Sequence, residues 1–76
     1  MNPEEIEALI LAGLPGCEVT VLSDDNTHYE AVVVSDAFEG KRPLMRHQMV
    51  YQTLGELVGN EIHALSIQAF TPAERS

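Results

Sequence analysis

The chain predicts an α+β fold, a three-stranded mixed sheet with helices packed on one face, on three observations. A capped segment with apolar residues at helical spacing opens the sequence. Two β-like segments then flank a short polar turn, which reads as an antiparallel hairpin. The last β-like segment follows a link of roughly 25 residues that is itself helical in pattern, and a crossover of that length joins parallel neighbours. The expected order is αββααβ.

Each element has a local cause. Asn2 is a good N-cap, Pro3 suits the first helical position, and Glu4 and Glu5 complement the positive end of the helix dipole. Ile6, Leu9 and Ile10 then fall on one face, and Gly13 with Pro15–Gly16 stops the helix. Residues 17–22 (CEVTVL) alternate polar and apolar as a half-buried strand does. Residues 23–27 (SDDNT) are a turn, because Asp and Asn bond their own backbone and tolerate tight dihedrals. Residues 28–35 (HYEAVVVS) form the second strand, and 36–43 (DAFEGKRP) a loop. From Leu44 to Gly59 the pattern is helical, with Pro43 permitting a short first turn before a longer helix. His47, Val50, Tyr51, Leu54, Leu57 and Val58 make one stripe. Residues 62–70 (IHALSIQAF) form the last strand, Thr71–Pro72 breaks it, and the tail 73–76 is expected to fray.

A chain of 76 residues has room for one core, so residues 1–76 read as a single domain. Apolar residues make up 45% of it, too many for a disordered chain. The formal charge of −8 argues against broad binding to nucleic acid or anionic membranes, both polyanions. That charge is uneven: eight acids and no Lys or Arg lie in residues 1–38, while residues 39–76 hold four acids and all four bases. The single Cys17 excludes an internal disulfide, which fits a reducing compartment. The apolar stretch Ala8–Leu11 is too short for a signal peptide or membrane span, so a cytoplasmic location and no membrane partner are expected.

No motif of a hydrolase, metalloprotease, P-loop or dinucleotide site is present, and no enzymatic activity is expected. Cys17 opens an apolar strand with no His or base near it in sequence, the setting of a small core residue more than of a nucleophile. His28 starts the second strand and His63 nearly starts the third. If those strands are parallel neighbours, both imidazoles and the acidic turn Asp24–Asp25 share one rim. Two readings stand for that rim: solvated strand-end histidines, or a pair of ligands for iron, zinc or copper. Two histidines do not complete a metal site, so the remaining ligands would come from another molecule. His47 fits a helix-start residue packing on the core. Lys41, Arg42 and Arg46 cluster at a helix start, as an anion-binding tip or as an ordinary solvated loop.

Three stretches carry a family resemblance. Phe38-Glu39-Gly40-Lys41-Arg42-Pro43-Leu44-Met45-Arg46-His47-Gln48-Met49-Val50-Tyr51 resembles the signature of the BolA-like family. Ile62 to Glu74 (IHALSIQAFTPAE) resembles its C-terminal strand, and Thr27-His28-Tyr29 with Val32-Val33-Val34-Ser35 its second strand. The resemblance spans most of residues 3–74 in order. It implies an αββααβ fold related to the class II KH domain and an adaptor without turnover. Such a protein pairs with a monothiol glutaredoxin and shares a [2Fe–2S] cluster with it and with glutathione. The family's last-strand histidine ligand matches His63. A second ligand, His or Cys, often lies in the turn between the first strands. Residues 23–27 hold neither, as in short-loop bacterial relatives, which leaves His28 as the nearest candidate. By analogy with Rieske centres, histidine ligation implies a raised potential. The chain alone is expected to be a monomer or weak homodimer.

Some bacterial members are described as DNA-binding regulators linked to stress and cell shape. That alternative would use Lys41, Arg42 and Arg46 within the helix–turn–helix-like segment Lys41–Gly59. A KH-type phosphate clamp wants a GxxG loop, and position 43, three after Gly40, is Pro.

Overall fold

The structure, a computed structural model, describes residues 1–75. Its elements are α1 (Pro3–Gly13), β1 (Glu18–Leu22), β2 (His28–Val34), α2 (Pro43–Leu54), β3 (Ala64–Phe70) and a closing turn of helix α3 (Pro72–Arg75). Short 3-10 turns occupy Asp36–Phe38 and Gly55–Leu57. The sheet order is β1-β2-β3, with β1 antiparallel to β2 and β2 parallel to β3. The αββααβ order and mixed sheet therefore hold. The second helical segment before β3 is the single 3-10 turn at Gly55–Leu57.

The start of α1 is fixed by a reciprocal cap. The Glu5 N–H donates to Asn2 Oδ1 and the Asn2 N–H donates to Glu5 Oε1, each at 2.9 Å. Two otherwise unpartnered donors of the first turn are satisfied this way. One face of α1 then buries Ile6 and Ile10 completely.

Burial alternates along the strands, as the pleat requires. Val21, Tyr29, Ala31, Val33 and Ile67 point into the core, which they share with Ile6, Ile10, Val50, Leu54 and Phe38. Glu18, Thr20, Leu22, His28, Glu30, Ser66 and Gln68 are exposed on the opposite face. Tyr29 reaches through the core to donate its hydroxyl to the Met1 carbonyl. Cys17 lies just before β1 as a buried core member, and burial pushes its thiol above the ordinary value.

The crossover departs from the sequence reading at four places. The loop 36–43 contains a 3-10 turn whose Phe38 is fully buried, with the Ser35 hydroxyl accepting from the Ala37 N–H at 3.1 Å. The helix expected over 44–59 starts directly at Pro43 and stops at Leu54, where Gly55 takes a φ of 56° and turns the chain. The buried side of α2 is rotated away from the predicted stripe. Val50 and Leu54 are core, but Tyr51 is exposed and His47 half-exposed. The last strand begins at Ala64, and Ile62 instead makes a bridge with Val58.

The tail is also ordered where fraying was expected. Residues 72–75 form α3, and Arg46 anchors it; Ser76 lies outside the described residues. The Arg46 guanidinium donates to Glu74 Oε1 at 2.7 Å and to Oε2 at 3.2 Å. It also donates to the carbonyls of Lys41 at 2.8 Å and Ala69 at 3.2 Å. Glu74 Oε1 accepts from the Thr71 N–H at 2.8 Å as well. One side chain thus ties the loop before α2, the end of β3 and α3 together. The Arg46 bonds, with help from the Thr71 N–H, hold the Glu74 carboxyl down at about 2.

Side chains also meet the outer edges of the sheet. The Val21 N–H of β1 donates to Glu7 Oε2 at 2.8 Å. On β3 the Ala69 carbonyl takes Arg46, and the Leu65 carbonyl faces the Tyr51 hydroxyl at 3.5 Å.

Three outcomes are expected. A Cβ added at Gly13 would sit 2.5 Å from Thr53 Cγ2 and 2.8 Å from Thr53 Cβ, so α1 and α2 must separate to admit it. Glycine to alanine in a helix ordinarily stabilises by about 1 kcal/mol. Here Gly13→Ala should destabilise by roughly 1–3 kcal/mol in chemical denaturation, as overpacking does. Cys17 should react with Ellman's reagent only as fast as the core opens, and at the rate of a free thiol once the chain is denatured. The third concerns pH. Glu74 titrates at 4.5 when unpaired and about 2 when folded, so its contribution is whole above pH 4.5 and is lost as pH falls toward 2. Thermal melts of wild type and Glu74→Gln should differ at neutral pH and converge across that window.

Candidate functional site

The candidate site is built by the turn between β1 and β2. Ser23 donates its hydroxyl to the His28 carbonyl at 2.7 Å and accepts from the Asn26 N–H at 2.9 Å. Asn26 takes the left-handed conformation, with φ 56°, which Asn tolerates better than most residues. Asp25 Oδ1 accepts from the Thr27 and His28 N–H groups, each at 2.9 Å. Its other oxygen, Oδ2, lies 2.8 Å from His28 Nδ1. These contacts, led by the His28 N–H, hold the Asp25 carboxyl far below the usual carboxylate range. The polar turn therefore does more than reverse the chain: it grips the first residue of β2 by both backbone and ring.

β3 brings the second histidine alongside. The parallel register places His28 opposite Ala64, one residue after His63. The Thr27 carbonyl accepts from both the His63 N–H at 3.1 Å and the Ala64 N–H at 3.2 Å, which pins the start of the strand. As a result the His28 and His63 rings meet edge to face, with centroids 5.4 Å apart and planes at 85°. Both residues are exposed. Among the described residues, no side chain or backbone group hydrogen-bonds the ring nitrogens of His63.

That spacing has a chemical meaning. Two imidazoles on one tetrahedral metal, each bonded at about 2.0–2.1 Å, place their ring centroids roughly 5 Å apart. The 5.4 Å centroid separation is close to that spacing, and it is also the separation of an ordinary edge-to-face ring contact. Among the described residues, no group of three or more His, Cys, Asp or Glu side chains is arranged to hold a metal ion. Asp25 is committed to His28 and the turn. Two exposed imidazoles thus stand together on an open rim, with no third metal-ligating side chain grouped with them among the described residues. An open groove of about 700 Å³ adjoins the pair, with Asp24, Asp25, Glu30, Leu22 and Ser66 among its lining. The rim is acidic, as the charge split in the sequence led one to expect.

The other sequence candidates separate in space. Arg46 has only 12% of its side chain exposed and is held by Glu74 and two carbonyls. It does not join Lys41 and Arg42 in a free basic tip; those two remain exposed at the start of α2. Arg42 occupies the N-cap position without a side-chain cap bond. His47 lies half-exposed on α2. Composition makes the turn acidic but does not tell Asp25 from Asp24 as the residue that engages the ring. The available signal was the spacing Asp25-x-x-His28, which lets an Asp side chain reach the backbone and ring three residues on.

No helix of the described residues is long and apolar enough to cross a membrane. The family model described as BolA-like protein matches residues 15–74. The chain is 52% identical over 48 residues to human BolA-like protein 1, covering 63% of this chain but 35% of that longer protein. It is 39% identical over 75 residues to the acid stress protein IbaG of Escherichia coli K12, covering 97% of this chain and 88% of the relative. Among solved structures, a BolA protein homologue from Coxiella burnetii superposes with a TM-score of 0.82 at 40% identity, covering 99% of this chain and 96% of that one. Motif, strand order and these likenesses agree, and the chain belongs to the BolA-like family.

Proposed function

We propose that this chain is an iron–sulfur adaptor that shares a bridging [2Fe–2S] cluster with a monothiol glutaredoxin and glutathione, and that His63 and His28 are its ligands. The observation that carries the reading is the pair of exposed imidazoles with centroids 5.4 Å apart, with no third metal-ligating side chain grouped with them among the described residues. A cysteine from the partner and the thiol of glutathione would supply the remaining ligands. When bound, the cluster supplies one-electron chemistry, and histidine in place of thiolate on one iron raises its potential. The chain's own part is to hold two imidazole nitrogens at an open rim. Family membership supports an adaptor role in place of turnover, and the likeness to a bacterial acid stress protein supports a stress-linked role.

The nucleic-acid alternative is less well supported. It relies on Lys41, Arg42 and Arg46, and the last is occupied by Glu74. The two exposed bases remaining stand on a chain of net charge −8.

The test is reconstitution of the cluster on a monothiol glutaredoxin with glutathione, followed by addition of this chain and visible circular dichroism. Wild type should change the spectrum on forming the mixed complex. His63→Ala should abolish that change and His28→Ala should weaken it. Identical spectra for wild type and both variants would refute the ligand assignment.

A further inference from the structure

Asp25 carries an inference beyond the two ligands. We propose that Asp25 is the positioning residue of the histidine pair: it holds His28 with hydrogen on Nδ1, so that the Nε2 lone pair is the one the ring offers to a metal. This rests on the reading of His28 as a ligand.

The chemistry follows from what each group can donate. An ionised carboxylate only accepts hydrogen bonds. The 2.8 Å contact between Asp25 Oδ2 and His28 Nδ1 therefore puts the hydrogen on Nδ1. A neutral imidazole then has its single lone pair at Nε2. The carboxylate cannot easily turn away, because Oδ1 is held by the Thr27 and His28 N–H groups. The same turn that closes the hairpin thus fixes the tautomer and the ring plane set edge to face against His63. Carboxylate–histidine–metal relays of this form orient the ring and raise its basicity, and their loss typically weakens metal retention about 10–100-fold. Asp24, the neighbouring acid, makes no hydrogen bond to either ring among the described residues.

Asp25→Asn is a sharp probe because it keeps the turn. The Thr27 and His28 N–H groups still claim the amide oxygen, which turns the NH₂ toward His28 Nδ1. A donor now faces the ring where an acceptor stood, and the tautomer should invert. Long-range ¹H–¹⁵N correlation on the metal-free, ¹⁵N-histidine-labelled chain at about pH 8, above the ordinary imidazole range, reads this directly. Wild type should show hydrogen on Nδ1 of His28, and Asp25→Asn should show it on Nε2, with the Thr27 and His28 amide shifts confirming an intact turn. Hydrogen on Nε2 in wild type, or an unchanged tautomer in the variant, overturns the proposal.

A second measurement ties the tautomer to the metal. In the reconstituted glutaredoxin complex, Asp25→Asn should lose the cluster about 10–100-fold more readily to a chelator, while Asp36→Asn, at an exposed acid outside the groove, should match wild type. An inverted tautomer with unchanged cluster retention overturns the positioning role alone. Unchanged retention in His28→Ala overturns His28 as a ligand, a failure of the earlier reading that the metal-free tautomer measurement keeps distinct.

Discussion

The rim depends on one constraint, the parallel register of β2 and β3. No hairpin sets that register, since the two strands are joined by the whole crossover. It is set by alternation: Tyr29, Ala31 and Val33 must face the helices on one strand while Ile67 does so on the other. The Thr27 carbonyl, shared by the His63 and Ala64 N–H groups, locks the same alignment from the strand start. A slip by one residue would turn Ile67 to solvent and carry every β3 side chain to the opposite face. The hydrophobic cost of the slip thus protects the placement of two exposed histidines that contribute little to the core themselves.

Where local chemistry decides, the sequence was legible. The cap of α1, the hairpin and its turn all follow from neighbouring residues. The parallel third strand follows from the length of the crossover. That His28 and His63 share one rim was legible for the same reason, because parallel neighbours start at the same edge; their ring contact was not. The buried face of α2 was not. His47 and Tyr51 extend an apolar stripe by residue type, yet the helix turns them outward. Arg46 goes toward the sheet because its guanidinium finds an acid 28 positions away and two backbone carbonyls. Long-range partners of that kind leave no local trace, which is also why the tail looked free and the basic tip looked like three residues.

The charge split acquires a structural sense from this pairing. One of the few bases is spent inside the fold on Glu74, leaving Lys41 and Arg42 exposed at the start of α2 while Arg75 lies over the Phe70 ring. Three acids of the first half, Asp24, Asp25 and Glu30, line the groove beside His28. The acidic side chains beside His28 give that rim a negative potential, which favours a basic surface over a polyanion.

The side chains that meet the sheet edges have a consequence for how this molecule associates. A three-stranded sheet has two outer strands, and an unprotected edge invites another chain to add a strand. Here Glu7 occupies the outward Val21 N–H on one side, while Arg46 and Tyr51 attend the Ala69 and Leu65 carbonyls on the other. A strand added at either border would have to evict a charged group already in place. Edge-to-edge polymerisation is thereby opposed on both flanks.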